Sequence, residues 1–226
     1  LFFICILMKV AIIVAAGSGK RFGGELPKQF LILKDKPVLA HSIDVFLASG
    51  AKVWVVVSPE MAGFWKDQCL QYNIPDHQVV MGGSERYHSV KNAIEVLPKE
   101  TQWVAIHDAA RPAIQLDFVN RMWEATKQFG SAIPYWPIAD SLRLEEEGQW
   151  KILDRNRVRS IQTPQCFDFK LLGRAYEQSF RSFFTDDASV VEQQQSVDLH
   201  YELGLPSNFK ITQSQDLQVM ESILNT

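Results

Sequence analysis

Between Val10 and Phe129, short apolar runs rich in β-branched residues alternate with longer amphipathic stretches. A short run with no polar alternate face is typical of a strand buried on both sides. Val10–Ala15 and Val53–Val57 are predicted as buried strands of this kind, and Val79–Met81 and Trp103–Ile106 are predicted as further strands. Because strands and helices alternate, we expect an α/β fold with a mostly parallel sheet that is flanked by helices.

The stretches between these runs carry apolar residues three or four positions apart, which is the spacing of one helix face. The predicted faces consist of Leu39, Ile43, Phe46 and Leu47 in the first helix, the stretch Phe64–Leu70 in the second, Val90, Ile94 and Leu97 in the third, and Phe118, Met122 and Phe129 in the fourth.

After Ile133 the pattern changes to short alternating segments. Residues 141–144 and 150–153 flank the turn Glu145–Gly148, which is typical of a β-hairpin. We therefore expect a projecting arm over about residues 137–158.

Helical patterns return in the last third of the chain. They cover Phe169–Phe180 and Ala188–Gln194, and a last helix carries Leu217, Met220 and Leu224. Thr212 and Gln215 have the spacing of a capping box ahead of that helix.

Length and charge limit the function. A chain of 226 residues is typical of one sizeable domain, and we expect it to span residues 8–226. With 23 Lys+Arg against 26 Asp+Glu, the net charge of -3 argues against a protein that coats nucleic acid. The three cysteines form no CxxC pair, so we expect neither a disulfide framework nor a cysteine zinc site, and a reducing, cytoplasmic location.

Leu1–Leu7 reads LFFICIL and precedes Met8-Lys9 and a second apolar run. The glycine-rich segment that begins at Gly17 interrupts this region before it reaches the roughly 20 apolar residues of a membrane helix. We interpret residues 1–7 as an upstream extension with Met8 as the natural start, and expect no membrane association. The alternative is a membrane anchor.

Small and charged residues follow three of the predicted strands. The segment Ala15–Gly24 follows the first and leads to Lys28, Gly82–Arg86 follows the third, and His107–Pro112 follows the fourth. In an open α/β sheet such strand ends meet at one edge, where ligands bind. Small residues let backbone N–H groups approach a phosphate, and the cations add charge. No single segment matches a Walker or dinucleotide-binding motif, and each alone is compatible with a plain turn.

Taken together, the segments AAGSGKRFGGELPKQ, GGSERYHSV, HDAARP, QTPQ, TDDAS and NFKIT resemble the 2-C-methyl-D-erythritol 4-phosphate cytidylyltransferases of the non-mevalonate isoprenoid pathway. The resemblance extends from about Met8 to the C-terminus. It implies a Rossmann-like nucleotidyltransferase fold, transfer of CMP from CTP to 2-C-methyl-D-erythritol 4-phosphate with release of pyrophosphate, Mg²⁺ or another divalent cation as cofactor, and a homodimer formed through the arm.

The resemblance also implies roles for individual residues. The residues implied to bind CTP are Ala15, Ala16, Gly17, Ser18, Gly19, Arg21, Lys28, Gly83, Arg86, Ser89, Asp108 and Ala109. Those implied to bind the acceptor are Arg111, Ser141, Arg155, Thr163, Thr185 and Lys210. The implied catalytic residues are Arg21, Lys28, Arg155 and Lys210, and the implied metal ligand is Asp108.

The chemistry of that reaction fits a site built from cations. The acceptor phosphate is already an anion and needs no strong base, so positioning and charge stabilisation carry the catalysis. For each cation the alternative is a solvated surface role. For Asp108 it is a helix cap, and for Thr185 it is the N-cap of the helix that follows.

Two other functions stay open from the sequence. One is the same fold with another acceptor, such as a ribitol 5-phosphate cytidylyltransferase or a sugar-1-phosphate nucleotidyltransferase. The other is a nucleotide-binding module without catalysis. Cations on both sides of the reaction argue against the second, since binding of a nucleotide does not require them.

Overall fold

The structure is a computed structural model, and it describes residues 8–17, 22, 26–194 and 197–225. In these residues the strands are β1 (Met8–Val14), β2 (Ile32–Leu33), β3 (Lys36–Pro37), β4 (Lys52–Val57), β5 (Gln78–Met81), β6 (Thr101–Asp108), β7 (Ser131–Pro137), β8 (Leu142–Glu146), β9 (Gln149–Leu153), β10 (Arg159–Ile161), β11 (Gln165–Asp168) and β12 (Tyr201–Leu203). The helices are α1 (Val38–Ala48), α2 (Ala62–Gln71), α3 (Arg86–Glu95), α4 (Leu116–Phe129), α5 (Phe169–Ala175), α6 (Asp187–Glu192) and α7 (Gln215–Ile223).

The main sheet has the order β10-β7-β11-β6-β1-β4-β5, with β12 paired to β7. Strands β6, β1, β4 and β5 lie side by side and run parallel, as the alternation of strands and helices predicted. β11 lies antiparallel between β6 and β7, and β10 is antiparallel to β7. The parallel half therefore brings the carboxyl ends of β1 and β6 next to each other.

The core occupies both faces of the sheet, because β1 is apolar at every inner position. Val10 and Ile12 pack on one face and Ala11 and Ile13 on the other, and all four are fully buried. Helices α1 and α4 cover the second face, while α3 and α5 cover the first. This confirms the α/β fold with helices on both sides.

The predicted arm is confirmed as the hairpin β8–β9. Its two central residues, Glu147 and Gly148, have φ angles of 51° and 76°. Positive φ at both positions is the geometry of the two-residue hairpin turn that matches strand twist. The hairpin forms a separate two-stranded sheet, so it projects from the main one.

Two predicted features of the helices are wrong. The helix expected over Phe169–Phe180 ends at Ala175, since the aromatic segment after it packs on Tyr87 rather than continuing the helix. Gln215 forms no capping box with Thr212. The Asp216 carboxylate instead accepts the backbone N–H groups of Thr212 and Gln213.

None of the described helices is both long and apolar enough to cross a membrane. The expectations for residues 1–7 lie outside the described residues.

A candidate active site at the carboxyl edge of the sheet

A cleft of about 460 Å³ opens where β1 and β6 end. Its walls include Ala16 and Gly17 after β1, the segment Gly83–Arg86 at the start of α3, and Asp108–Ala110 at the end of β6. Lys28 and Lys210 also line it. The three strand ends that the sequence predicted to converge therefore share one cleft.

Gln29 fixes the loop that follows β1. Its buried side-chain amide donates to the carbonyl oxygens of Ala15 at 2.7 Å and Gly17 at 2.8 Å. The N–H of Ala15 donates to the carbonyl of Val56 at 2.7 Å. Because these contacts hold the backbone of Ala15 and Gly17, the first residues after β1 present a fixed backbone to the cleft. The predicted residues Ser18, Gly19 and Arg21 lie outside the described residues.

Close packing at the start of α3 requires glycine. A Cβ on Gly82 would lie 2.5 Å from the Cβ of Ala16, and one on Gly83 would collide with His88. The N–H of Gly83 donates to the Ser89 hydroxyl at 3.1 Å, and Ser89 is buried. This end of the cleft is thus a narrow, preformed backbone pocket.

Asp108 lies at the centre of a charge cluster. Its carboxylate contacts Lys210 Nζ at 2.9 Å, Arg86 Nε at 3.4 Å and Arg111 Nε at 3.6 Å. Burial alone would raise the pKa of Asp108, but the charges of these three cations lower it well below its ordinary value. The carboxylate is therefore ionised, and it organises cations rather than capping a helix, which was the alternative role.

Thr163 and His107 hold the backbone of Asp108 on the side away from the cleft. The N–H of Asp108 donates to Thr163 Oγ1 at 3.0 Å, and that hydroxyl lies 3.0 Å from His107 Nδ1. The other ring nitrogen of His107 lies 3.1 Å from the carbonyl of Arg111. The carbonyl oxygen of Arg111 can only accept, so Nε2 carries the ring proton. Nδ1 is then the acceptor for the proton of the Thr163 hydroxyl. Thr163, predicted to bind the acceptor, is buried and supports Asp108.

Arg111 and Asn208 close this network on the side of Lys210. The Arg111 guanidinium donates to the carbonyl of Asn208 at 2.8 Å, and the side-chain amide of Asn208 donates to the carbonyl of Thr163 at 2.7 Å. The segment that carries Lys210 is thereby tied to the strand end that carries Asp108.

The predicted acceptor residues of the arm are not part of this chain's own cleft lining. Ser141 and Arg155 are exposed, and Arg155 hydrogen-bonds to the carbonyl of Ala139 in the arm. Thr185 is also exposed and is not the N-cap of α6. That position belongs to Asp186, which forms a capping box with Ser189.

The remaining predicted residues do meet at one edge. Of the predicted residues, those that line the cleft are Ala16, Gly17, Lys28, Gly83, Arg86, Ser89, Asp108, Ala109 and Lys210, with Ala15, Arg111 and Thr163 directly behind them.

Four supporting residues had no predicted role in binding or catalysis: Gln29, His107, Asn208 and Asp187. Each stands inside or beside a quoted motif, but the contacts that give them their supporting roles reach partners 12 to 101 positions away. Spacing along the chain carries no signal for such contacts.

In the described part of the chain, no three His, Cys, Asp or Glu side chains cluster closely enough to hold a metal ion. Asp108 and Glu85 are carboxylates of the cleft lining. A single carboxylate together with substrate phosphates is a common magnesium site, so Asp108 fits a metal that arrives with a nucleotide.

Comparison with known proteins adds an independent finding. The family model for 2-C-methyl-D-erythritol 4-phosphate cytidylyltransferase matches residues 9–226. The 2-C-methyl-D-erythritol 4-phosphate cytidylyltransferase of Bacteroides thetaiotaomicron is 38% identical over 216 residues, which cover 94% of this chain and 98% of that protein. The protein of the same name from Bacteroides fragilis is 38% identical over 221 residues, covering 96% of this chain and all of that protein. A crystal structure of a 4-diphosphocytidyl-2C-methyl-D-erythritol synthase is similar, with a TM-score of 0.80, 31% identity, and coverage of 96% of this chain and 98% of that one.

Proposed function

The chain belongs to the 2-C-methyl-D-erythritol 4-phosphate cytidylyltransferase family, and we propose that the cleft around Asp108 is where it carries out that family's reaction. The protein is a nucleotidyltransferase of isoprenoid biosynthesis that transfers CMP from CTP to 2-C-methyl-D-erythritol 4-phosphate. The observation that carries the site assignment is the position of Asp108. Its carboxylate binds Arg86 of the glycine-rich pocket through one oxygen and Lys210 through the other.

The reaction needs charge and alignment more than acid–base chemistry. An oxygen of the acceptor phosphate forms a bond to the α-phosphorus of CTP, and the bond from that phosphorus to the bridging oxygen breaks. The electron pair leaves with pyrophosphate, so no proton transfer is required. Negative charge builds up between two polyanions, and Lys28 and Lys210 on the cleft wall are suited to stabilise it.

The two ends of the cleft suit the two substrates. The backbone pocket of Gly83 and Ser89 suits the flat cytosine, and Ala16 and Gly17 suit the triphosphate. Lys210 and Arg111, tied together through Asn208, suit the acceptor phosphate. Asp108 binds Arg86 through one oxygen and Lys210 and Arg111 through the other, and so keeps the cations of the two ends at a fixed separation.

We also propose a magnesium ion that enters with CTP. Asp108 is the residue that would hold it, because its ionised carboxylate lines the cleft. When bound, the ion would neutralise phosphate charge in addition to the cations of the protein.

The arm supports the proposal of a homodimer. Trp150 is 67% exposed and Ile152 is 81% exposed, and both lie on one face of the hairpin, opposite Glu145 and Arg143 respectively. Large apolar side chains that are exposed on a projecting element are typical of a protein–protein contact. Arg155, at the base of the arm, would then enter the cleft of the partner subunit and bind the acceptor phosphate.

A reducing, cytoplasmic location completes the proposal. It is supported by Cys69 and Cys166, which are both free thiols.

The acceptor is tested by a panel with pyrophosphate release as the readout. The purified protein is incubated with CTP and either 2-C-methyl-D-erythritol 4-phosphate or ribitol 5-phosphate, with and without magnesium. We expect release only with the first acceptor and only with the metal. Release with ribitol 5-phosphate alone would overturn the assignment in favour of a ribitol 5-phosphate cytidylyltransferase.

A further inference from the structure

Arg86 is anchored from behind by a carboxylate that does not line the cleft. Its two terminal nitrogens donate to the two oxygens of Asp187, at 3.0 and 2.7 Å. A guanidinium bound by two parallel hydrogen bonds has both its position and its plane fixed. The side chain of Asp187 is fully buried, whereas that of Arg86 is 27% exposed and reaches the cleft.

Tyr176 holds the carboxylate in turn. Its hydroxyl donates to Asp187 Oδ1 at 2.6 Å, and its ring stacks on Tyr87 of α3. The anchor therefore joins three helices: α6 supplies Asp187, the end of α5 supplies Tyr176, and α3 supplies Arg86. A buried ion pair with good geometry and additional hydrogen bonds is costly to break from one side, because the remaining charge loses its partner.

The third nitrogen of Arg86 shows what the anchor achieves. Arg86 Nε contacts Asp108 Oδ1, while Lys210 occupies Oδ2. With its two terminal nitrogens engaged by Asp187, the guanidinium cannot turn to bind both oxygens of Asp108. The second oxygen is thus left to Lys210.

We infer that Asp187 is a positioning residue for the nucleotide half of the cleft, and that it acts through Arg86. It holds the guanidinium in a fixed position in the wall of the cleft beside Gly83 and Ser89. It also keeps the guanidinium away from the end of the cleft that suits the phosphates. This inference rests on the proposed function, because it takes CTP as the ligand of that wall.

The test compares two neighbouring charge neutralisations in α6. Asp187→Asn keeps the shape and removes the charge that fixes Arg86. Asp186→Asn is the matched control, because it removes one charge from the next residue, retains a good N-cap, and does not contact Arg86. For Asp187→Asn we expect the KM for CTP to rise about tenfold, with a change in kcat below about threefold. We expect the KM for the acceptor to be unchanged, and all constants of Asp186→Asn to stay near those of the wild type.

A double-mutant cycle separates positioning from a general loss of structure. If Asp187 acts through Arg86, the combined variant Arg86→Met/Asp187→Asn has the same KM for CTP as Arg86→Met alone. If the KM of the combined variant instead rises by the product of the two single-variant factors, the inference is overturned. Equal rises in KM for Asp187→Asn and Asp186→Asn would also overturn it.

Tyr176→Phe provides a second variant that leaves the ion pair in place. Loss of one hydrogen bond should raise the KM for CTP by a smaller factor, about two- to threefold, and an unchanged KM in both Tyr176→Phe and Asp187→Asn would overturn the inference. Calorimetric binding of CTP to each variant distinguishes this failure from failure of the proposed function. A wild type that binds CTP and releases no pyrophosphate contradicts the function, while its Kd against that of Asp187→Asn still tests the positioning. A wild type that does not bind CTP contradicts both.

Discussion

His107 lies directly beneath Asp108, and it is fully buried with partners at both ring nitrogens. Nδ1 accepts from the Thr163 hydroxyl, which itself accepts the N–H of Asp108. Burial lowers the pKa of His107 from 6.5 to about 4, although the neighbouring Asp108 charge opposes this. The ring is therefore neutral under ordinary conditions, and it supports the strand end without adding charge to the cleft.

This histidine predicts an acid-dependent loss of stability. Between pH 6.5 and about 4 the unfolded chain binds a proton at His107 and the folded protein does not, so acid favours unfolding. The contribution of His107 to the free energy of unfolding is complete above pH 6.5. It decreases as the pH falls towards 4, by about 3 kcal/mol in total. Urea unfolding at pH 7.5 and pH 5 should show about 2 kcal/mol of this loss, and the loss should be smaller in His107→Gln. An equal loss in both proteins would mean that the pH dependence arises elsewhere.

Lys28 is the described cation whose loss we expect to affect chemistry most directly. It begins the short helical turn Lys28–Phe30, and the next two residues are buried, so its backbone is fixed while its side chain lines the cleft. Lys28→Ala should lower kcat roughly 100-fold or more, because transition-state charge loses a preorganised partner. The melting temperature should change little.

Lys36→Ala is the control for that variant. Lys36 forms an ion pair with Asp44 and is not part of the cleft lining, so its loss should leave kcat unchanged. Pyrophosphate release and thermal unfolding measure the two effects. Turnover of Lys28→Ala at the wild-type rate would remove Lys28 from the mechanism.

The residues that face the cleft were easier to predict from the sequence than those that support it. Asp108, Lys28 and Lys210 stand in charged motifs, and a charge beside a buried strand has few structural explanations. Gln29 and Asn208 are neutral amides whose bonds go to distant backbone carbonyls. Neither periodicity nor charge marks such a residue.

Among the elements, the parallel half of the sheet was predictable because each of its strands contains a continuous apolar run. β11 was not predicted as a strand. Only four residues long, it begins with buried Gln165, whose side chain binds Asp186 and the N–H of Ala188. Because the buried polar residue of this strand binds the start of a neighbouring helix, the strand lacks the alternation of apolar and polar residues by which strands are recognised.

The helix starts show the same limit. The alternative role predicted for Thr185 was the N-cap of α6, and Asp186 and Asp187, which follow it, are also of a residue type that suits a helix start. The fold assigns Asp186 to the cap and turns Asp187 inward to Arg86. Which candidate caps the helix depends on a partner 101 positions away, and local preference carries no information about it.

At the scale of the whole molecule, a net charge of -3 conceals a local excess of cations. Among the described residues around the cleft, the cations Arg86, Arg111, Lys28 and Lys210 outnumber the carboxylates Glu85, Asp108 and Asp187. Acidic residues of the arm turn, Glu145–Glu147, help to balance this excess elsewhere. Such a distribution favours small polyanions at one site over nonspecific contact with nucleic acid.

The arm separates residues of one chain that the proposed reaction needs together. Arg155 is not among the residues that line this chain's own cleft, whereas Lys28 is. In a two-fold symmetric dimer with exchanged arms, each site would combine Lys28 of one subunit with Arg155 of the other. This arrangement makes a prediction that no single-chain mechanism makes.

Lys28→Ala and Arg155→Ala are co-expressed with different purification tags, and the heterodimer is isolated through both. One of its sites then carries both substitutions, and the other has Lys28 and Arg155 intact. We expect about half of the wild-type kcat per dimer, although each variant homodimer is nearly inactive. If Arg155 instead served its own subunit, every site of the heterodimer would carry one substitution, and activity would stay at the level of the homodimers. Recovery of activity therefore locates Arg155 in the partner's cleft.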